Sequence, residues 1–296
     1  MSERPYLHEV LLAGFGVALS VALMFVAGPG AVVTQQVLGA TVLFIMGVAL
    51  LARLDGWAHA FRVRLLLAYA ATFFFYSSVK HTIPALGLPA RDGWLLAADV
   101  AVFGVTPSAW LQRWSTPWVN EVFSASYLAF HAYLHLAMAW AVIGPRARAE
   151  RFFTFVFSAY VPGIAGYYLL PGLGPVVAFP ELFTVPVEGG WFTRLNAAVV
   201  AGGSSAFDIF PSLHTYITLA LLEHDRLAHP RRFRVLLPVA VAIILSTLVL
   251  RYHYAVDLVA GALWFAAFRA VFPRLQEHWS RRGTPPASVT ADSVAS

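Results

Sequence analysis

The chemistry this sequence can do centres on two histidines and an aspartate. His214 stands in FPSLHT at residues 210–215, and His253 and Asp257 stand in RYHYAVDLVAG at residues 251–261. Both segments lie at the ends of long apolar runs, which places all three side chains at one membrane surface. His253 and Asp257 have i, i+4 spacing. In a helix they share a face, and the carboxylate can hold the imidazole in one tautomer and orientation. A histidine held in that way is a good nucleophile. Pro211 suits the first turn of a helix, where its missing N–H costs nothing, so the backbone N–H groups of Ser212, Leu213 and His214 are expected to face an anion such as phosphate. The charge of such an anion must be met by cations or N–H donors, and Arg251, Ser212 and this helix N-terminus are the nearest candidates in sequence.

The elements that must position these residues are membrane helices. Hydrophobic residues make up 59% of the 296 and charged residues only 12%, a balance that ordinary soluble domains do not show. The fold class read from this is all-α, a polytopic membrane helix bundle. Apolar runs long enough to cross a hydrocarbon core lie near 8–28, 35–52, 62–79, 119–143, 151–170, 210–226, 233–250 and 254–272, giving about eight transmembrane helices. The last two are divided at Arg251 to Tyr254, since an arginine at the centre of a span costs about 2.5–3.5 kcal/mol.

Basic residues set the orientation. With eight spans, one set of loops collects the arginines at 53–64, 146–151, 226–234 and 274–282, whereas the opposite loops hold only Lys80, Arg91, Arg113, Arg194 and Arg251. The positive-inside rule places the first set, with both termini, in the cytoplasm and both histidine motifs on the other side of an inner (plasma) membrane. The net charge of +5 is thereby accounted for by topology. With no basic-aromatic stripe, nucleic acid is not an expected partner. The chain has no cysteine, which excludes thiolate nucleophiles, thiolate metal sites and disulfides.

Residues 1–60 read as two additional N-terminal helices, 61–275 as the catalytic core with an interfacial or re-entrant segment near 94–112, and 276–296 as a disordered cytoplasmic tail. The Gly- and Pro-rich connection from Pro171 to Asp208 leads directly into the first histidine motif, a placement typical of loops that carry function. Glu121, Glu181 and Glu188 are expected on the active-site side, as solvated residues or as assistants to an acceptor hydroxyl.

Taken together and in this order, the two motifs resemble the second and third signature motifs of the type-2 phosphatidic acid phosphatase superfamily, over roughly Trp94 to Phe272. Three details resemble its inositol phosphorylceramide synthase and sphingomyelin synthase branch. Leu213 stands where the phosphatases carry Gly, HYAVD lacks an upstream Ser-Arg, and YYLLPGLGP at 167–175 replaces a segment with Lys and Arg-Pro. Asp208, six residues before His214, is similar to the aspartate of the sphingomyelin synthase motif. The resemblance implies a six-helix core, membrane lipid substrates and no cofactor or metal. It also implies that His253 attacks a lipid phosphoester to form a phosphohistidine, Asp257 orients it and His214 protonates the departing alkoxide. Asp208, Lys80, Arg194 and Tyr168 join Ser212 and Arg251 as candidate substrate- or phosphate-binding residues. The expected activity is transfer of a phosphate-bearing headgroup from a donor lipid to an alcohol. The same residues would serve a lipid or polyprenyl phosphate phosphatase if water were the acceptor. A transporter using intramembrane histidines such as His131 and His135 is the alternative of another class, although relay residues should be spread through the membrane depth rather than gathered at one surface.

Overall fold

Away from water a helix satisfies its own backbone N–H and C=O groups, so long apolar runs bounded by Pro, Gly and Arg become helices. The computed structural model describes residues 4–54, 57, 59–203 and 205–281, and every regular element among them is helical. In chain order these are α1 (Leu7–Val26), α2 (Val32–Arg53), α3 (Ala60–Ala85), α4 (Asp92–Phe103), α5 (Pro107–Leu111), α6 (Pro117–Ile143), α7 (Arg146–Gly166), α8 (Pro175–Ala178), α9 (Trp191–Gly203), α10 (Leu213–Ala228), α11 (Pro230–Val249) and α12 (Ala255–Arg281). Short 3₁₀ turns at Gln112–Trp114 and Pro180–Leu182 complete the set.

Among the described residues, α1, α2, α6, α11 and α12 are long and apolar enough to cross a membrane, and the protein is a polytopic helix bundle. The segment expected to be interfacial or re-entrant consists of two helical pieces. Gly104, in a left-handed conformation, ends α4, and the chain bends by 69° into α5 and its 3₁₀ turn. If that pair crosses as one span it is the sixth. The remaining long helices, α3, α7 and α10, are too polar on average or too short to pass on length and composition alone. Their polar side chains face partners inside the bundle: Arg64 of α3 meets Glu9, Glu150 of α7 meets Tyr6, and Asp225 of α10 meets Tyr133 and Arg232. Part of the segment expected to form a disordered tail is helical, because α12 continues to Arg281, with a Glu277–Arg281 ion pair in its last turn. Residues 282–296 of that tail lie outside the described residues.

The ends of the helices rich in arginine are tied to one another. Arg64 makes a bidentate contact with Glu9, at 3.0 Å from Nε and 2.5 Å from Nη2, and its guanidinium lies 4.4 Å from the Tyr6 ring. Tyr6 Oη donates to Glu150 at 2.7 Å, and the Trp279 indole donates to the Pro5 carbonyl at 3.1 Å. These contacts join the starts of α1, α3 and α7 to the end of α12. The opposite end of the bundle gathers the starts of α6, α10 and α12, and with them the histidine motifs.

The Arg64–Glu9 pair is almost completely buried, at 0% and 1% side-chain exposure. Removing one partner of such a pair leaves an uncompensated charge and typically costs about 3–5 kcal/mol. Glu9→Leu is therefore expected to lower the thermal midpoint of the detergent-solubilised protein sharply, whereas Glu277→Leu, on an exposed pair, should leave it nearly unchanged.

Candidate active site

The third motif begins at a break between two helices. At the end of α11, Arg251 N donates to the Leu248 carbonyl at 3.0 Å and Tyr252 N to the Thr247 carbonyl at 2.9 Å. This is the Schellman pattern, with Arg251 at the left-handed position, φ 68°, that glycine usually occupies. A non-glycine residue held there costs on the order of 1 kcal/mol or more, and such outliers cluster at functional sites. The Arg251 side chain is only 3% exposed. Its Nε and Nη2 have no hydrogen-bond partner among the described residues, and its guanidinium carbon lies 5.2 Å from the centre of the Phe183 ring. Burial pushes its pKa below the ordinary guanidinium value.

Carboxylates supply the acceptors that this break needs. Asp257, in the first turn of α12, accepts from Tyr254 N at 3.0 Å, and the same oxygen lies 3.3 Å from His253 Nδ1. Asp99 accepts from Ala255 N at 3.2 Å and Val256 N at 2.9 Å, capping the helix from α4. Asp92, two turns earlier on α4, accepts from Tyr254 Oη at 3.0 Å and from the backbone N–H groups of Leu173 and Gly174. The bent α4–α5 pair thus holds both the start of α12 and the loop after α7. Neither aspartate was identified as a site residue in the sequence. Their seven-residue spacing within an apolar segment was the available signal.

The second motif, FPSLHT, differs from its expected geometry. Ser212, not a preceding residue, is the N-cap of α10, and its Oγ accepts from Thr215 N at 3.3 Å. Pro211 therefore lies outside the helix. The Ser212 N–H does not face an anion, because it donates to the Asp257 carbonyl at 3.0 Å. That bond joins the two motifs directly, and Gly261 permits it: a Cβ there would lie 2.7 Å from the Ser212 carbonyl oxygen.

The motifs meet at a cavity of about 310 Å³ walled mainly by α3, α6 and α9, with contributions from α7, α8 and the start of α10. His214, His253, Asp208 and His131 line it with a largely aromatic surface that includes Tyr76, Tyr127 and Tyr167. The His214 and His253 rings are 6.1 Å apart at 69°, and Tyr127 and Phe130 each pack 4.6 Å from His214. His214 Nε2 is buried without a hydrogen-bond partner among the described residues. Asp208 accepts from Tyr76 Oη and, at 3.3 Å, from Ser205 N. Tyr252 Oη accepts from Asn196 of α9 at 2.9 Å, and burial raises its phenol to about 12, partly offset by that bond.

Other candidates are placed elsewhere. Lys80 and Arg194 are exposed and do not line the cavity. Tyr168 Oη is 2.6 Å from Thr82 Oγ1, and it is the neighbouring Tyr167 that reaches the cavity. Glu121 accepts from Gly190 N, Phe192 N and Thr193 N, so it anchors the start of α9 to α6. Glu181 and Glu188 are exposed loop residues.

An imidazole backed by a carboxylate and a second imidazole with an unpartnered nitrogen, both lining one cavity, form a set able to attack and protonate a phosphoester within a membrane bundle, while the buried Arg251, two residues before His253, is not among the cavity-lining residues. This constellation belongs to a membrane phosphatase or phosphotransferase. A family model described as the PAP2 superfamily matches residues 93–271, more than half of the chain and both histidine motifs, and the chain belongs to that superfamily of type-2 phosphatidic acid phosphatases. It is a membrane-embedded phosphatase or phosphotransferase acting on lipid. Among curated proteins and solved structures none matches the chain.

Arg251 separates backbone and side-chain effects in one substitution. Arg251→Gly relieves the left-handed strain and should leave thermal stability unchanged or slightly raised, while turnover of a phospholipid donor falls by on the order of 10²-fold through loss of transition-state charge stabilisation. Arg251→Lys, which keeps the charge but not the fork, should be intermediate.

Proposed function

We propose that the protein is a lipid phosphotransferase that moves a phosphate-bearing headgroup from a donor lipid to an alcohol through a phosphohistidine, as inositol phosphorylceramide synthases do. The observation that carries this reading is the His253–Asp257 contact beside His214 in one aromatic cavity. With Nδ1–H directed to Asp257, the Nε2 lone pair of His253 attacks phosphorus. Asp257 stabilises the charge that develops on the imidazole, and His214 protonates the departing oxygen. In the second half, the acceptor hydroxyl attacks phosphorus, His214 takes its proton and the bond to His253 breaks. Arg251 meets the equatorial oxygens, with Asp208 and Ser212 as positioning residues. The position of His253, only 3% exposed, supports an alcohol over water as acceptor, because a buried phosphohistidine is shielded from bulk solvent. The exposed Lys80 and Arg194 would serve the headgroup outside the reacting centre, and Tyr168 would support Tyr167.

The architecture supports eight crossings, α1, α2, α3, α6, α7, α10, α11 and α12, with the last six as the catalytic core and α1 and α2 as an addition packed onto it. The arginine-rich ends, bound together by the Tyr6, Arg64 and Trp279 contacts, are proposed to be cytoplasmic in a plasma (inner) membrane, with the cavity on the other side.

His253→Ala and His214→Ala should each lower turnover by more than 10²-fold in a thin-layer assay with labelled donor lipid, and Asp257→Asn should be nearly as severe. Retention of more than about a tenth of activity in either histidine variant would remove the nucleophile and acid assignment. Release of headgroup to water alone, whatever alcohol is added, would make the protein a phosphatase. For orientation, Glu188→Cys should react with an impermeant maleimide in intact cells and Ala228→Cys should not. The reverse labelling would invert the topology.

A further inference from the structure

The mechanism proposed above leaves two histidines of the cavity wall, His131 and His135, without a role. His131, on α6, lines the cavity with its ring 6.4 Å from that of His214, and its buried Nδ1 has no hydrogen-bond partner among the described residues. Its neighbour His135 is different. His135 Nδ1 lies 2.7 Å from the His131 carbonyl oxygen, which can only accept, so Nδ1 carries the proton and Nε2 accepts from Tyr69 Oη at 2.9 Å. Both His135 nitrogens are therefore occupied. His131 Nδ1 and His214 Nε2 remain, two buried polar atoms on neighbouring rings that both belong to the cavity wall, and buried polar atoms of this kind are costly to leave unmatched.

An alcohol oxygen fits that pair, since it carries one proton to give and lone pairs to receive a donor. Deeper along α6 the wall turns apolar, through Leu134 of α6, Phe73 of α3 and Phe157 of α7, which suits an alcohol carried on a hydrocarbon chain. We propose that His131 and His214 together form the subsite for the hydroxyl of a long-chain alcohol. This rests on the transferase reading above and adds to it a second residue in contact with the acceptor. The acceptor oxygen forms its bond to phosphorus with one lone pair as its proton passes to His214 Nε2. The phosphorus–Nε2 bond of His253 breaks, returning its electron pair to that imidazole, while the Nδ1–H of His131 donates to the remaining lone pair of the oxygen. In the first half of the reaction the leaving alcohol occupies the same place.

The test is the fate of the common phosphoenzyme. Purified protein in mixed micelles is given labelled phosphatidic acid or phosphatidylinositol with dodecanol as acceptor, and the ratio of dodecyl product to hydrolysed product is measured. His131→Phe should lower this ratio about tenfold, the effect of one lost hydrogen bond. His131→Gln, whose amide can still donate, should recover part of it. A uniform loss of both products at an unchanged ratio, as a packing defect would give, overturns the subsite, and so does an unaltered ratio at full activity. If the unsubstituted protein only hydrolyses the donor, the transferase reading falls, and the subsite is judged by inhibition. Dodecanol should then inhibit the unsubstituted protein about tenfold more strongly than His131→Phe, and equal inhibition of the two overturns it.

Discussion

The catalytic end of the bundle depends on how the backbone broken between α11 and α12 finds hydrogen-bond partners away from water. Helix ends leave N–H and C=O groups without intrahelical partners, and a buried end without substitutes is unstable. Here the carbonyls at the end of α11 are met by Arg251 N, Tyr252 N and His253 N, and the N–H groups at the start of α12 by Asp99 and Asp257. The Asp257 side chain thus works in two directions. It closes the first turn of its own helix through Tyr254 N, and the oxygen that does so is the one facing His253. The orientation of the histidine is in this way a consequence of capping the helix, and its loss would be felt in both.

Close backbone approach extends the same constraint to α10. The bond from Ser212 N to the Asp257 carbonyl requires α10 and α12 to touch near Gly261, and on the other side of α10 a Cβ on Gly163 would lie 2.5 Å from Leu213 Cδ1. Small residues at such crossings allow membrane helices to pack by van der Waals contact where the lipid offers no hydrophobic drive. The separation of the His214 and His253 rings is therefore set by the packing of α7, α10 and α12 together with the hydrogen-bonded break that carries His253.

The histidine motifs were legible in the sequence because reactive residues and hydrophobic boundaries coincide at FPSLHT and RYHYAVDLVAG. The helical class was legible from composition, and most of the expected apolar runs coincide with helices whose ends lie within a few residues of those expected. The details that were misread are those that depend on neighbours distant in sequence. Pro211 has the chemistry of a first-turn residue, but the Ser212 hydroxyl competes for the cap and takes it. Lys80 and Arg194 were expected on the same side as the site, yet a shared side says nothing of depth, and both are exposed and away from the cavity wall. Tyr168 and Tyr167 differ by one position, which near a helix end is about 100° of rotation, enough to exchange a cavity wall for a contact with Thr82. Asp92 and Asp99 could not be assigned from sequence, because the groups they bind lie 81 and 156 residues away.

The charge balance around the cavity follows from these contacts. Four carboxylates stand close to the site, a number that would repel a phosphate if they were free. Asp92 and Asp99 are directed at backbone N–H groups, Asp257 at Tyr254 N and His253, and Asp208 at Tyr76 and Ser205 N. Charge held by several N–H or O–H donors is partly neutralised locally and falls off quickly with distance. Arg251 is buried against the Phe183 ring with Nε and Nη2 unmatched among the described residues. Its two free nitrogens suit an anion arriving from outside the fold, which is the condition a phosphate site requires.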